Sequence, residues 1–143
     1  VHGFRIAVHR VTGEIRILQS VHAADAGTVL NPMQCRGQIE GAVAQGIGTS
    51  LFERMVFDGG GRMVNPTFRN YRISAFADIP RTEVFFADTY DAYGPLGAKS
   101  AGETPIIPIA PALGNALADA TGVRFRSLPF SADRIFGQLA GKQ

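Results

Sequence analysis

The sequence predicts an α+β fold with mostly antiparallel strands and two main helices. Near the start, residues 4–10 and 14–21 alternate apolar and polar side chains, the period of a half-buried strand. Further on, apolar residues recur every fourth position from Ile39 to Leu51, the spacing of a helix with one buried face. A second helical pattern follows Pro111. In a chain of 143 residues, these three observations predict a single domain over residues 1–143.

The first two strands are expected to form a β-hairpin. Thr12 and Gly13 lie between the two alternating runs and supply residues suited to a turn. The second run alternates through Ile15 and Ile17, but Leu18 is apolar where a polar residue is expected. The pattern therefore predicts a hairpin with one irregular position.

A long helix is predicted over residues 33–53. Asn31 followed by Pro32 is typical of an N-cap with proline in the first helical turn. Gln38 and Gln45 are seven residues apart and so point roughly the same way. Each glycine in a helix interior costs about 1 kcal/mol relative to alanine, so close packing on that face is expected. The glycines concerned are Gly37, Gly41, Gly46 and Gly48.

The middle of the chain predicts two further β elements. Residues 52–57 and 62–64 flank the turn sequence Asp-Gly-Gly-Gly and predict a second hairpin. Residues 83–89 predict a strand that is buried on both faces, because Phe85 lies opposite its apolar neighbours.

A helix is predicted over residues 111–121, with Pro111 in its first turn. Gly122 fits the position just past its end. A short last strand over residues 123–128 and a small helix over residues 131–135 follow, and residues 137–143 are expected to be mobile.

Composition excludes several classes of function. A net charge of +2 gives no indication of binding to nucleic acid or to an anionic membrane. No run approaches the ~18 apolar residues of a membrane span. Cys35 is the only cysteine, which excludes an internal disulfide and a cysteine-rich metal site. Val1 is not methionine and no signal peptide follows it, so we expect a piece of a longer or processed chain, cytoplasmic or alternatively periplasmic.

The stretch 94–111 holds the strongest candidates for chemistry. It contains a glycine-rich loop with Lys99, then Glu103, then an apolar run with three prolines. Glycines let a backbone approach a ligand closely, and a carboxylate at the mouth of an apolar segment is a candidate general base. From residue types alone, a surface loop with a solvated glutamate is the alternative. A nucleotide-binding P-loop is excluded because Ala98, not glycine, precedes Lys99.

The ordered motifs resemble the large, molybdopterin-binding subunit of the molybdenum hydroxylases, the xanthine dehydrogenase and aldehyde oxidase family. The loop G-A-K-S-A-G-E, which ends at Glu103, is similar to the family's G-x-K-x-x-G-E stretch. Residues 37–48 are similar to its G-Q-x-E-G-x-x-x-Q-G-x-G helix, and residues 25–32 to its D-x-G-x-x-x-N-P segment. The resemblance covers nearly all of this chain but only the C-terminal portion of the family's large subunit.

The resemblance implies a molybdenum–molybdopterin cofactor, as such or in its cytosine dinucleotide form. It makes Glu103 the catalytic base beside the molybdenum, in the hydroxylation of an aldehyde or N-heterocycle with oxygen from water. No side chain is assigned as a metal ligand. Iron–sulfur clusters, and in some assemblies FAD, would lie on partner chains, and the rest of the large subunit would come from the same or a separate chain. The residues assigned to the cofactor or its supporting loop are Gln38, Lys99, Ser100, Ala101 and Gly102.

Several alternatives stay open. Asp25 in a D-x-G turn is more typical of a local hydrogen-bond acceptor than of a catalytic group. Arg69, Tyr71 and Arg72 are the nearest indication of substrate, against solvated or ion-paired arginines on a loop. The isolated chain is expected to be inactive. A non-catalytic split or remnant domain acting as a protein-interaction module is the alternative function.

Overall fold

The computed structural model describes residues 1–141 and contains one three-stranded sheet, in the order β1-β2-β3. The strands are β1 (His2–Val8), β2 (Ile15–Ala24) and β3 (Thr82–Phe86). β1 and β2 form the predicted antiparallel hairpin. β3 pairs with β2 in parallel, and the crossover that this direction requires contains helix α1 (Pro32–Leu51). The α+β class is confirmed, and the sheet is mixed.

A β-bulge explains the irregular position in the second strand. Arg5 pairs with Gln19 but Ile6 pairs with Ile17, so Leu18 is the extra residue on β2. Its side chain is 48% exposed. The bulge shifts the alternation by one residue, so the inward positions continue at Ser20, His22 and Ala24.

Two helices cover the inner face of the sheet. In α1, the Asn31 side chain accepts a hydrogen bond from the Gln34 amide at 3.1 Å, which confirms the predicted N-cap. Helix α2 (Ile109–Thr121) packs against β1 and α1, and its C-cap Gly122 adopts φ 67°, a left-handed conformation suited to glycine. The core joins α1, α2, β3 and the C-terminal segment through Ile39, Val43, Ile47, Leu51, Val84, Ile109, Leu113, Leu117, Phe130 and Ile135.

The α1 glycines divide into two groups. A Cβ atom added at Gly46 would lie 2.7 Å from Ile109 Cβ, so this glycine lets α1 and α2 approach closely. A Cβ added at Gly37 or Gly41 would meet no other described atom within 4 Å. The expected close packing is therefore present at the C-terminal half of the helix, while the N-terminal half is open.

Substitution of two of these glycines by alanine should change stability in opposite directions. We expect Gly46→Ala to lower the free energy of unfolding by about 1–3 kcal/mol, because the new methyl group overpacks Ile109. Gly41→Ala should raise it by up to about 1 kcal/mol, because alanine has the higher helix propensity and nothing obstructs its methyl group. Urea unfolding of the two variants checks this, and equal changes at both positions would contradict it.

The predicted second hairpin is present in shortened form, with the Val64 amide donating to the Val56 carbonyl at 2.8 Å and the Asp58 amide to the Arg62 carbonyl at 2.9 Å, but its two arms do not extend into a pair of strands. Only Phe57 and Met63 form a β-bridge, around a turn in which Asp58 Oδ1 accepts hydrogen bonds from the Gly60 and Arg62 amides. The Asn65 side chain accepts from the Val56 amide at 2.9 Å and donates to a nearby carbonyl. The Val56 amide thus bonds to a side chain, and the backbone pairing of the two arms ends there.

Three predictions near β3 and the C-terminus also need correction. Phe85 is 57% exposed, so β3 is covered on one face only within residues 1–141. Residues 123–128 form no strand, and at the end of this segment Arg134 donates to the backbone carbonyls of Ser127 and Pro129. The last helix, α3 (Ala132–Ala140), includes residues 137–140, which were expected to be mobile. Residues 142–143 lie outside the described part of the chain.

Within the described residues, no helix combines the length and apolar character that a membrane crossing requires.

Candidate functional site

A cleft of about 590 Å³ lies where the segment between β2 and α1 meets the loop before α2. Side chains and backbone of both segments, together with the first turns of α1, form its walls. The lining residues of central interest are Thr28, Gly37, Gln38, Lys99, Ala101 and Gly102.

Backbone hydrogen bonds join the two segments. The Thr28 amide donates to the Gly97 carbonyl at 2.8 Å, and the Lys99 amide donates to the Ala26 carbonyl at 2.9 Å. This short antiparallel bridge pairs Gly27 with Ala98. The loop before α2 is thus fixed directly to the segment that leads into α1.

Two glycines make this close approach possible. Gly27 has φ 60°, and a Cβ atom there would lie 2.3 Å from the Gly97 carbonyl oxygen. Gly97 has φ 79°, and its Cβ would lie 2.3 Å from the ring of Tyr90. Both positions therefore require glycine for conformation and for space.

A charged network reinforces the bridge. Lys99 Nζ lies 2.6 Å from Asp25 Oδ2, while Asp25 Oδ1 accepts from Thr89 Oγ1 at 2.5 Å and from the Gly27 amide at 3.1 Å. The hydrogen bonds from Lys99, Thr89 and Gly27 lower the pKa of Asp25 to about 2. The hydrogen bond to Asp25 raises the pKa of Lys99. Both groups are charged throughout the neutral pH range.

The residues assigned to the cofactor or its supporting loop fall into two groups. Gln38, Lys99, Ala101 and Gly102 line the cleft. Ser100 is exposed and does not line it. Gln45, which was not assigned to the site, is exposed on α1 as Gln38 is, but it does not line the cleft.

Glu103 follows directly after the two cleft-lining residues Ala101 and Gly102. Its backbone carbonyl accepts a hydrogen bond from the Ile106 amide at 3.0 Å, which starts a short 3₁₀ turn at Thr104–Ile106. Its side chain is exposed, and among residues 1–141 its carboxylate has no hydrogen-bond or ion-pair partner. A carboxylate without a partner is free to accept a proton from a ligand.

A larger groove, of about 740 Å³, lies between the hairpin and residues 77–80. Its polar lining consists of His9, Glu14, Arg16 and Asp78, and none of the assigned residues reaches it. We place the candidate site at the smaller cleft, because four assigned residues from two distant parts of the sequence meet there. In the described chain, no three His, Cys, Asp or Glu side chains are grouped as metal ligands.

Of the three residues that gave the nearest indication of substrate, Tyr71 and Arg72 form contacts within the chain. Arg72 forms an ion pair with Asp78 at 2.8 Å, and its guanidinium lies 4.0 Å from the ring centroid of Phe52. The Tyr71 hydroxyl donates to Glu53 at 2.8 Å. For Arg72, the structure therefore agrees with the ion-paired alternative.

Sequence reasoning missed the contribution of residues 28–35 to the cleft. The sequence indicated only a turn and an N-cap, whereas Thr28, Val29, Leu30 and Cys35 line the cavity wall. The available signal was positional: a segment that leaves the end of a strand and enters a helix is a common place for a ligand crevice in α/β units.

Comparison with known proteins gives a consistent result. Residues 1–80 match the family model of a molybdopterin cofactor-binding domain. The chain is 36% identical over 140 residues to the aldehyde oxidoreductase molybdenum-binding subunit PaoC of Escherichia coli (strain K12), covering 96% of this chain and 19% of that one. It is 39% identical over 139 residues to the putative xanthine dehydrogenase molybdenum-binding subunit XdhA of the same strain, covering 95% and 18%.

Among solved structures, quinoline 2-oxidoreductase from Pseudomonas putida 86 superposes with a TM-score of 0.90 and 30% sequence identity. The match covers 94% of this chain and 18% of that chain. The chain therefore spans about a fifth of the length of the proteins it matches.

Proposed function

The chain belongs to the family of molybdopterin cofactor-binding subunits that includes aldehyde oxidoreductase and xanthine dehydrogenase, and we propose that it forms one wall of a molybdenum hydroxylase active site. The observation that carries this proposal is the unpartnered Glu103 carboxylate, placed directly after a loop that lines a cleft. The substrate class would be an aldehyde or an N-heterocycle, hydroxylated with oxygen from water.

Two features of the cleft support binding of a pterin cofactor. A Cβ atom added at Gly37 or at Gly102 would meet no described atom within 4 Å, so both positions leave open space at the cleft wall. The Gln38 amide is exposed and has no partner among residues 1–141, and an amide can both donate and accept along a pterin edge. When bound, the cofactor supplies the redox chemistry of the hydroxylation.

The residues of this chain would then bind the cofactor, accept a proton and support the loop. Gln38 binds and orients the cofactor, and Ala101 and Gly102 bring backbone close to it. Glu103 accepts a proton at a carboxylate oxygen during the reaction, which is the role of a general base. Lys99 and Ser100 support the loop that presents these groups.

Partial filling of the cleft should reduce cofactor binding without loss of folding. We expect Gly37→Leu, made in the assembled enzyme, to lower the molybdenum content at least about 10-fold, because the new side chain occupies ligand space. Leucine has a higher helix propensity than glycine, so the thermal midpoint should not fall. Metal analysis and thermal unfolding of the purified enzyme measure the two effects.

Gly41→Leu is the matched control. Gly41 lies one helical turn further along α1, also faces open space and does not line the cleft. Its variant should keep its molybdenum. Equal metal loss at both positions would mean that the whole helix face, not the cleft, responds to added bulk.

Additional polypeptide is needed to complete such an enzyme. Phe68, Phe76 and Tyr93 are 85%, 99% and 100% exposed, so their rings are available for contact with further polypeptide. The relatives are named as molybdenum-binding subunits and are about five times as long. We propose that the rest of the large subunit covers these side chains, and that partner chains hold iron–sulfur clusters and, in some assemblies, FAD.

The alternative function, a non-catalytic interaction module, also explains the exposed aromatic side chains. Unlike a hydroxylase, an interaction module requires neither the unpartnered Glu103 carboxylate nor the cleft. Purification of the chain with its natural partners separates the two, since molybdenum in the complex supports the hydroxylase and a metal-free homodimer supports the module.

A further inference from the structure

The Asp25 carboxylate makes more hydrogen bonds than its turn requires. A D-x-G turn needs only the hydrogen bond from the Gly27 amide, which is present at 3.1 Å. The same carboxylate also binds Thr89, which follows β3, and Lys99, which lies in the cleft loop. One side chain therefore connects its own segment to residues 64 and 74 positions further along the chain.

We propose that Asp25 is a positioning residue that acts through Lys99 to hold the loop of residues 97–103, and hence Glu103, in its working place. This inference rests on the proposed function. It assigns the ammonium group of Lys99 to loop support rather than to direct contact with a phosphate of the cofactor, which is the other role that the resemblance allows.

The geometry supports a clamp at one end of the loop. Lys99 Nζ lies 2.6 Å from Asp25 Oδ2, and the Lys99 backbone amide bonds to the Ala26 carbonyl at 2.9 Å. Side chain and main chain of one residue are thus attached to two successive residues of the opposite segment. Only three residues separate Lys99 from Glu103, so movement at this attachment transfers to the carboxylate.

The charge of the pair supports loop attachment over phosphate binding. Asp25 compensates the lysine charge directly, so an incoming anion would have to compete with a carboxylate already in contact. A misplacement of about 1 Å in a reacting group costs up to about 10²-fold in rate. A clamp that limits loop movement is therefore expected to affect kcat.

The test uses the assembled enzyme with Asp25→Asn, which keeps the shape of the side chain and removes its charge. We expect kcat to fall at least about 10-fold while KM and molybdenum content stay within about 2-fold of wild type. In hydrogen exchange on the same enzyme, the amides of Thr28 and Lys99 should exchange faster. Unchanged kcat would overturn the inference, and so would a fall in molybdenum content, which would place the pair in cofactor binding.

Asp78→Asn is the matched control. Asp78 also forms an ion pair with a basic residue, Arg72 at 2.8 Å, and also accepts one backbone amide, that of Ala75 at 2.8 Å. It does not line the cleft. Its kcat should remain at the wild-type value, and an equal fall in both variants would overturn a specific role for Asp25.

Two further variants keep the test decisive. If Asp25→Asn does not fold, Thr89→Val removes one hydrogen bond from the same carboxylate and should lower kcat by about 2- to 5-fold. Unchanged kcat in that variant would also overturn the inference. Full activity of Glu103→Gln would refute the proposed function itself, whereas an inactive Glu103→Gln with a fully active Asp25→Asn refutes only the clamp.

Discussion

Glu103→Gln in the assembled enzyme is expected to lower kcat by about 10²–10⁴-fold while the molybdenum content stays at the wild-type level. Glutamine keeps the size and hydrogen-bonding shape of the side chain but cannot accept the proton. Because the Glu103 carboxylate has no partner among residues 1–141, its replacement breaks no contact within the described chain. Folding should therefore be unchanged, and steady-state kinetics with metal analysis measures the separation.

Two variants serve as controls for this loss. Glu103→Asp keeps the carboxylate but withdraws it by about one carbon–carbon bond, so activity should fall to an intermediate value. Glu14→Gln removes another exposed carboxylate, next to the hairpin turn, and should leave kcat unchanged. Wild-type kcat in Glu103→Gln would remove this residue from the mechanism, whatever the metal content.

Local periodicity predicted the fold well where neighbours in sequence are neighbours in space. The hairpin, the α1 stripe from Ile39 to Leu51 and the Asn31 cap all depend on short-range spacing, and all are present. Even the irregular Leu18 was visible in the sequence, although the pattern could not show that a bulge resolves it.

Contacts between segments that are far apart in the sequence could not be predicted from the sequence. The parallel pairing of β2 with β3 depends on the path of α1 between them. Residues 123–128 have the composition of a strand, but whether a segment pairs depends on a free strand edge beside it. Arg134, a residue of the following helix, satisfies two carbonyls of the 127–129 segment instead.

The candidate site shows the same division. The loop that ends in Glu103 is recognisable from its residues, because glycine spacing and a single carboxylate are local features. The backbone bridge joins this loop to Gly27 and Thr28, about 70 positions earlier in the sequence. The ion pair joins Lys99 to Asp25, 74 positions earlier. No periodicity within either segment encodes that approach.

A buried polar cluster in the sheet leads to the last prediction. His2 and His22 face each other with their Nδ1 atoms 3.0 Å apart, and Ser20 Oγ lies 3.2 Å from His2 Nε2 and 2.8 Å from Thr82 Oγ1. The two imidazoles are 8% and 3% exposed. Burial, followed by the effect of His22, lowers the pKa of His2 from 6.5 to about 4, and burial likewise lowers the pKa of His22.

Acid should therefore destabilise the protein between pH 6.5 and pH 4. In that range the unfolded chain binds protons that the folded chain excludes, so the stability present above pH 6.5 is lost as the pH falls. For His2 the loss amounts to roughly 3 kcal/mol by pH 4. The paired carboxylate of Asp25 responds only below its ordinary pKa of 3.8, so it does not obscure this range.

The His2→Gln side chain cannot be protonated, so this variant should flatten the dependence of stability on pH, whereas His9→Gln, at an exposed position, should keep it. Urea unfolding at pH 7, 6, 5 and 4.5 compares the three proteins, and an unchanged slope in His2→Gln would show that His2 is not the group that titrates.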